Sequence, residues 1–80
     1  MTTSIKAEDH VAINRAWPGV THVHEVVSNS RRVGIFRWKK NRREWVFLPD
    51  FGVHVDPGFT VRAWAHLANH LGVIFLEDGE

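Results

Sequence analysis

"VGIFRWKKNRREWVF", Val33 to Phe47, decides how this chain is read. Phe36, Trp38, Trp45 and Phe47 flank a cluster of Lys and Arg whose one acid is Glu44. The flanks are rich in aromatic and β-branched residues and the middle is polar, so the stretch is expected to be a β-hairpin with "KKNR" at its tip. Asn41 is the residue there best suited to a left-handed conformation. A two-residue loop at Lys40-Asn41 sets Phe36 opposite Trp45, and a four-residue loop sets Trp38 opposite Trp45. In either register Phe36, Trp38, Trp45 and Phe47 share one face. Ile35, Val46 and Leu48 share the other with Arg37 and Glu44. Both faces are partly apolar, more than a sheet covered on one side requires.

Outward from the hairpin, Ser28-Asn29-Ser30 is expected to be a turn, preceded by a strand over Val20 to Val27 and followed by strands over Arg31 to Lys39 and Arg43 to Leu48. Upstream, Ser4 is read as the cap of a first helix, with Glu8 and Asp9 near the positive end of its dipole. Ile13 and Trp17, four apart, would share its face, and Trp17-Pro18-Gly19 would stop it; an extended Val11-Ala12-Ile13 is the alternative. Downstream, Pro49 to Gly52 makes a turn and Val53-His54-Val55 a brief strand. Asp56-Pro57 then opens a helix, a capping residue followed by proline. Val61, Trp64, Ala65, Ala68 and Leu71 are its expected buried stripe, with Arg62, His66, Asn69 and His70 facing out. Gly72 is read as its C-terminal cap, "GVIFL" as a last strand and "EDGE" as a polar tail. The expectation is one α+β domain over residues 1–80, in the order α-β-β-β-α-β. Three or four antiparallel strands, with a long basic hairpin, pack against a C-terminal helix.

A chain of 80 residues buries only about 60% of its unfolded surface, and four Trp and five Phe compensate for a thin core. Absence of Cys removes disulfides, thiolate metal sites and Cys nucleophiles. The first ten residues lack the apolar stretch of a signal peptide, and no run approaches transmembrane length. A cytoplasmic protein without membrane contact is expected.

The net charge of +1 hides an asymmetry. Arg31, Arg32, Arg37, Lys39, Lys40, Arg42 and Arg43 face one acid, Glu44, so residues 31–44 carry +6 and the rest −5. Surfaces ordinarily intersperse both signs. A field of this kind speaks to partners.

Signatures of catalysis are missing. His66 and His70 stand one helical turn apart, and His22 and His24 point to the same side of a strand. Zinc needs three or four converging ligands and no further one is signalled, so neither metal nor cofactor is expected. The glycines form no phosphate-cradling motif. Asp50-Phe51-Gly52 is a turn, since the Gly-rich loop and strand lysine of a kinase are absent. Ser4, Ser28 and Ser30 lie in terminal or turn segments without a nucleophile elbow. No enzyme is expected.

In size, α+β plan and lack of catalytic motifs the chain resembles the small inhibitors carried by phages and mobile elements, the anti-CRISPR proteins among them. The resemblance implies action by occlusion in the host bacterial cytoplasm, on a nucleoprotein complex denied its DNA or a conformational change. Many such inhibitors are acidic DNA mimics, whereas a basic pole would engage an acidic protein patch, guide RNA or DNA. Arg37, Lys39, Lys40, Arg42 and Arg43 are the expected contacts for an acidic macromolecular partner, with Trp38 beside them as an anchoring or stacking group. Direct binding of DNA or RNA by the same hairpin is the alternative, and a zinc-binding module is a third. Apolar groups on both hairpin faces point to a homodimer.

Overall fold

The computed structural model describes residues 3–17 and 19–78, with side chains as far as residue 72. Six strands precede one helix: β1 (Thr3–Ile5), β2 (Ala12–Arg15), β3 (Val23–Ser28), β4 (Arg31–Lys39), β5 (Glu44–Pro49), β6 (Val53–Val55) and α1 (Pro57–Asp78). β2 to β5 form a four-stranded antiparallel meander in sequence order, and β1 pairs in parallel with β6 as a second, two-stranded sheet. The class is α+β, with the sheet against a C-terminal helix. The order differs from the sequence expectation at both ends.

At the N-terminal end a strand, a turn and a second strand replace the expected helix. Lys6 and Asp9 close the turn, the Lys6 amide donating to Asp9 Oδ2 at 2.8 Å and the Asp9 amide to the Lys6 carbonyl at 3.1 Å. Val11 is buried and Ile13 packs on the core, a period of two. Trp17, which a helix would have placed beside Ile13, is 57% exposed. Pro18 of the expected helix stop lies outside the described residues.

The central hairpins follow the sequence closely. Asn29 and Ser30 both have positive φ, 53° and 65°, and join Ser28 to its partner Arg31. Such a two-residue turn matches the twist of the flanking strands. At the other end Lys39 pairs with Glu44 and Trp38 with Trp45, so the tip is a four-residue loop. The Arg42 amide donates to the Lys39 carbonyl at 3.2 Å. The left-handed residue is Arg43, φ 54°, in place of the expected Asn41. One extra residue interrupts the β3–β4 ladder: Val26 pairs with Gly34 and Val27 with Arg32, leaving Val33 as a bulge. Val33 thereby turns into the core with Phe36.

The helix starts where expected. Asp56 Oδ1 accepts from the Gly58 amide at 2.8 Å, and its carbonyl accepts from Phe59 and Thr60. Arg62 Nη1 donates to the carbonyls of Ala7 and Asp9, both at 2.6 Å, and clamps the N-terminal turn to the helix. The buried stripe is Phe59, Ala63 and Leu67, completed by Leu71, and not the expected Val61, Trp64, Ala65 and Ala68. Val61 is 69% exposed and Trp64 39%. The helix is apolar on most of its circumference, so periodicity alone could not fix which side faces the sheet. Phe59, four before Ala63, sets the phase instead.

Gly72 does not end the helix. No side chain or foreign backbone crowds it, its φ is not positive, and the backbone continues helical through Asp78 in place of the expected strand. Of the expected tail, Gly79 and Glu80 lie outside the described residues. The core lies between one face of the large sheet and α1, with Ile5, Val53 and Val55 of the small sheet closing one end. Phe36, Phe59 and Leu67 are fully buried, each worth about 1.5–3 kcal/mol of apolar transfer. No helix among the described residues is long and apolar enough to cross a membrane.

Candidate functional site

The pairing of β4 with β5 sorts the hairpin side chains onto two faces. Phe36, Trp38, Trp45 and Phe47 look toward the helix: Phe36 and Phe47 have ring centroids 5.3 Å apart, and Trp38 and Trp45 meet edge to face at 5.5 Å. Trp64 closes on Phe36 at 4.7 Å from the helix side. Cross-strand neighbours on the opposite, helix-free face are Arg37 with Val46, Ile35 with Leu48, and Lys39 with Glu44.

The six expected contact residues therefore do not converge on one face. Arg37, exposed, and Lys39, half-buried, stand on the helix-free face. Trp38 is half-buried on the helix side, where Trp45 occupies one of its edges. Lys40, Arg42 and Arg43 are exposed in the loop that joins the two faces. Arg42 lies 3.6 Å from Glu44, a pair open to water on both sides. Among the described residues Arg37, Lys39, Lys40 and Arg43 make no ion pair.

Arg31 and Arg32 do not belong to this cluster. They begin β4, about 23–26 Å from Lys39 along the strand. Arg32 is also neutralised, 3.2 Å from Asp50 and 4.0 Å from Glu25. The positive pole read from residues 31–44 is thus a tip of five cations plus a separate pair, of which Arg32 is compensated.

A second polar feature lies between β3 and α1. His24, fully buried, packs against Trp45 in a tilted contact with centroids 5.4 Å apart and meets His70 edge to face at 4.8 Å. His24 Nε2 is 3.2 Å from the Thr21 carbonyl, which can only accept, so this nitrogen carries the proton. Nδ1 is then the acceptor for His70 Nε2, 3.2 Å away. Burial holds the His24 pKa below the usual value, and His70, Arg15 and His22 act in the same direction against the Thr21 hydrogen bond. Alternation from Val26 places His24 on the core face, a signal present in the sequence. Its partner is not legible from the helix pattern, which reads His70 as facing out.

His10, Val11, Ile13, His66, Asn69 and His70 line an open groove of about 390 Å³ between β2 and the helix. Among the described residues no three His, Asp or Glu side chains gather where they could hold a metal ion. His66 and His70 share a helix flank, but His70 spends its Nε2 on His24. Among the described residues neither His22 with His24 nor His66 with His70 has a converging third ligand. No protein-family model, curated protein or solved structure matches this chain.

Proposed function

We propose that this chain is a non-enzymatic binding protein, a small inhibitor of the kind phages and mobile elements carry, anti-CRISPR proteins among them. It acts in the host cytoplasm by occluding a nucleoprotein complex, and its basic hairpin is the contact. One observation carries the reading: Arg37, Lys39, Lys40, Arg42 and Arg43 crowd one hairpin end, and among the described residues only Arg42 has an acidic partner. Like charges at such spacing repel one another in the free protein, and an acidic partner relieves that repulsion. Self-association belongs to the same proposal, through the outward helix residues Val61, Ala65 and Ala68.

The test is the double reversal Lys40→Glu with Arg42→Glu, followed by capture of partners from the host and by titration at several salt concentrations. Melting should be nearly unchanged, because exposed charges contribute little to stability. Partner association should slow strongly and lose its salt dependence. Wild-type binding by the double variant returns the hairpin to a solvated turn. A partner reached through about four phosphates gives log K against log salt a slope near −3 to −4, which identifies direct nucleic-acid binding.

A further inference from the structure

The helix-free sheet face extends the hairpin contact, and the inference here rests on reading that hairpin as a site for an acidic partner. Val27 and Arg32 form one row across this face; Glu25, Ile35 and Leu48 form the next; Val23, Arg37 and Val46 a third; and Lys39 and Glu44 the row nearest the tip. The 4.0 Å approach of Arg32 to Glu25 joins the first two rows.

An antiparallel sheet with one wet face normally alternates apolar-in with polar-out. Val27, Ile35, Val46 and Leu48 break that alternation, and none belongs to the core cluster. Leu48 is 38% exposed and the other three are half-buried, while Val23 at the edge of the patch is buried; among the described residues no helix or strand is laid over Ile35, Val46 and Leu48. The acids on this face, Glu25 and Glu44, are already engaged by Arg32 and Arg42. Arg37 and Lys39 are not engaged among the described residues. The surface is an aliphatic patch bordered by unmatched positive charge.

We propose that this face docks an acidic amphipathic helix of a partner protein. Its apolar stripe lies on Ile35, Val46 and Leu48, and its carboxylates meet Arg37 and Lys39. The dimensions suit one helix: four strands span about 14 Å between outer axes, and a helix with side chains is about 10–12 Å across. Docking completes a third layer over the sheet. Nucleic acid fits this face poorly, because base recognition by a sheet uses aromatic platforms, and all four hairpin aromatics lie on the helix side. A second copy fits poorly as well. Two-fold pairing would bring two sets of unmatched cations together with no acid to answer them.

The experiment uses the full chain and three labelled probes. The first is a peptide of Leu and Glu about 18 residues long, with leucines at positions i, i+3, i+4 and i+7. The second has the same composition with leucines scattered around the helix, and the third is oligothymidylate. The patterned peptide should bind about tenfold more tightly than the scattered one, as expected for a few buried aliphatic contacts. Val46→Thr with Leu48→Thr keeps strand-compatible side chains, and circular dichroism establishes its fold. This variant should erase the tenfold preference and leave oligothymidylate binding unchanged. Equal binding of the two peptides, or indifference to the Thr variant, overturns the proposal. Tighter binding of oligothymidylate than of the patterned peptide also overturns it, in favour of nucleic acid. If the Lys40→Glu, Arg42→Glu variant weakens every probe while the Thr variant weakens none, the hairpin reading survives and the sheet-face inference falls. If neither variant weakens any probe, both fall.

Discussion

His70 reaches across from the helix to His24 on β3, Nε2 to Nδ1 at 3.2 Å, and joins the two layers through a contact between imidazoles. Protonation of His24 removes its only acceptor nitrogen and sets a charge beside Arg15, His22 and His70. The folded protein therefore resists protonation at His24, whereas the unfolded chain accepts it near the usual value of 6.5. Between those two values the unfolded state binds more protons, so stability falls as pH falls, and above the unfolded value this group contributes no slope. Urea melts should show stability declining from pH 7 to pH 5, with no more than about 1.4 kcal/mol per pH unit from this one proton. His24→Gln should flatten the decline. Imidazole NMR should show His24 titrating below the reference value, and a His24 signal titrating at or above it removes the argument.

Gly34→Ala is expected to destabilise by about 3 kcal/mol. A Cβ there would lie 2.7 Å from the Leu48 carbonyl oxygen and 2.9 Å from both Pro49 Cα and Phe47. Two of these neighbours are backbone and cannot swing away. Denaturant melts decide it, and a variant as stable as the parent means β4 and β5 do not pair in this register.

Gly72→Ala should stabilise by about 0.5 kcal/mol, since alanine loses less backbone entropy in a helix. Space is open around the position. The sign is what matters. Alanine at a left-handed cap would instead destabilise, so a loss of stability would end the helix at residue 72.

Ser28→Ala should raise stability by about 1 kcal/mol. Ser28 Oγ is buried and finds no hydrogen-bond partner among the described residues. Removing an unsatisfied buried hydroxyl relieves its desolvation penalty. A melting point below the parent's shows that the hydroxyl has a partner after all.

The two hairpins were legible because period-two alternation, polar turns and a charged tip all agree along Ser28 to Leu48. Residue order leaves two loop lengths, and Trp38 opposite Trp45 identifies the four-residue one. Asp56-Pro57 marked the helix start for the same reason, a cap and a preset φ in succession. Where signals were single, they misled. Ile13 and Trp17 at helical spacing outweighed Val11 and Ile13 at strand spacing, until pairing of β2 with β3 settled it. A lone glycine before β-branched residues read as a stop, although nothing at Gly72 requires positive φ. The contact residues were legible as a charge cluster. Their division between two faces was legible too, since alternation alone separates Arg37 and Lys39 from Trp38. What residue order could not show was the neutralisation of Arg32 by Asp50, a contact made only once β4 and the turn after β5 lie side by side.

The parallel pairing of β1 with β6 also orders the assembly of the molecule in time. β2 to β5 join neighbours in sequence and can zip as local hairpins, whereas Thr3 must find Val53 after the whole meander has formed. Closing so large a loop is entropically slow, and contacts of this separation tend to form late. β1 is three residues long and pairs with β6 alone, so it is also the strand that should detach first. The amide of Asp56, bonded to the Ile5 carbonyl at 2.9 Å, should then exchange with solvent well before those of β3 and β4. That amide lies immediately ahead of the helix, so each excursion of the N-terminal strand loosens the footing on which α1 starts.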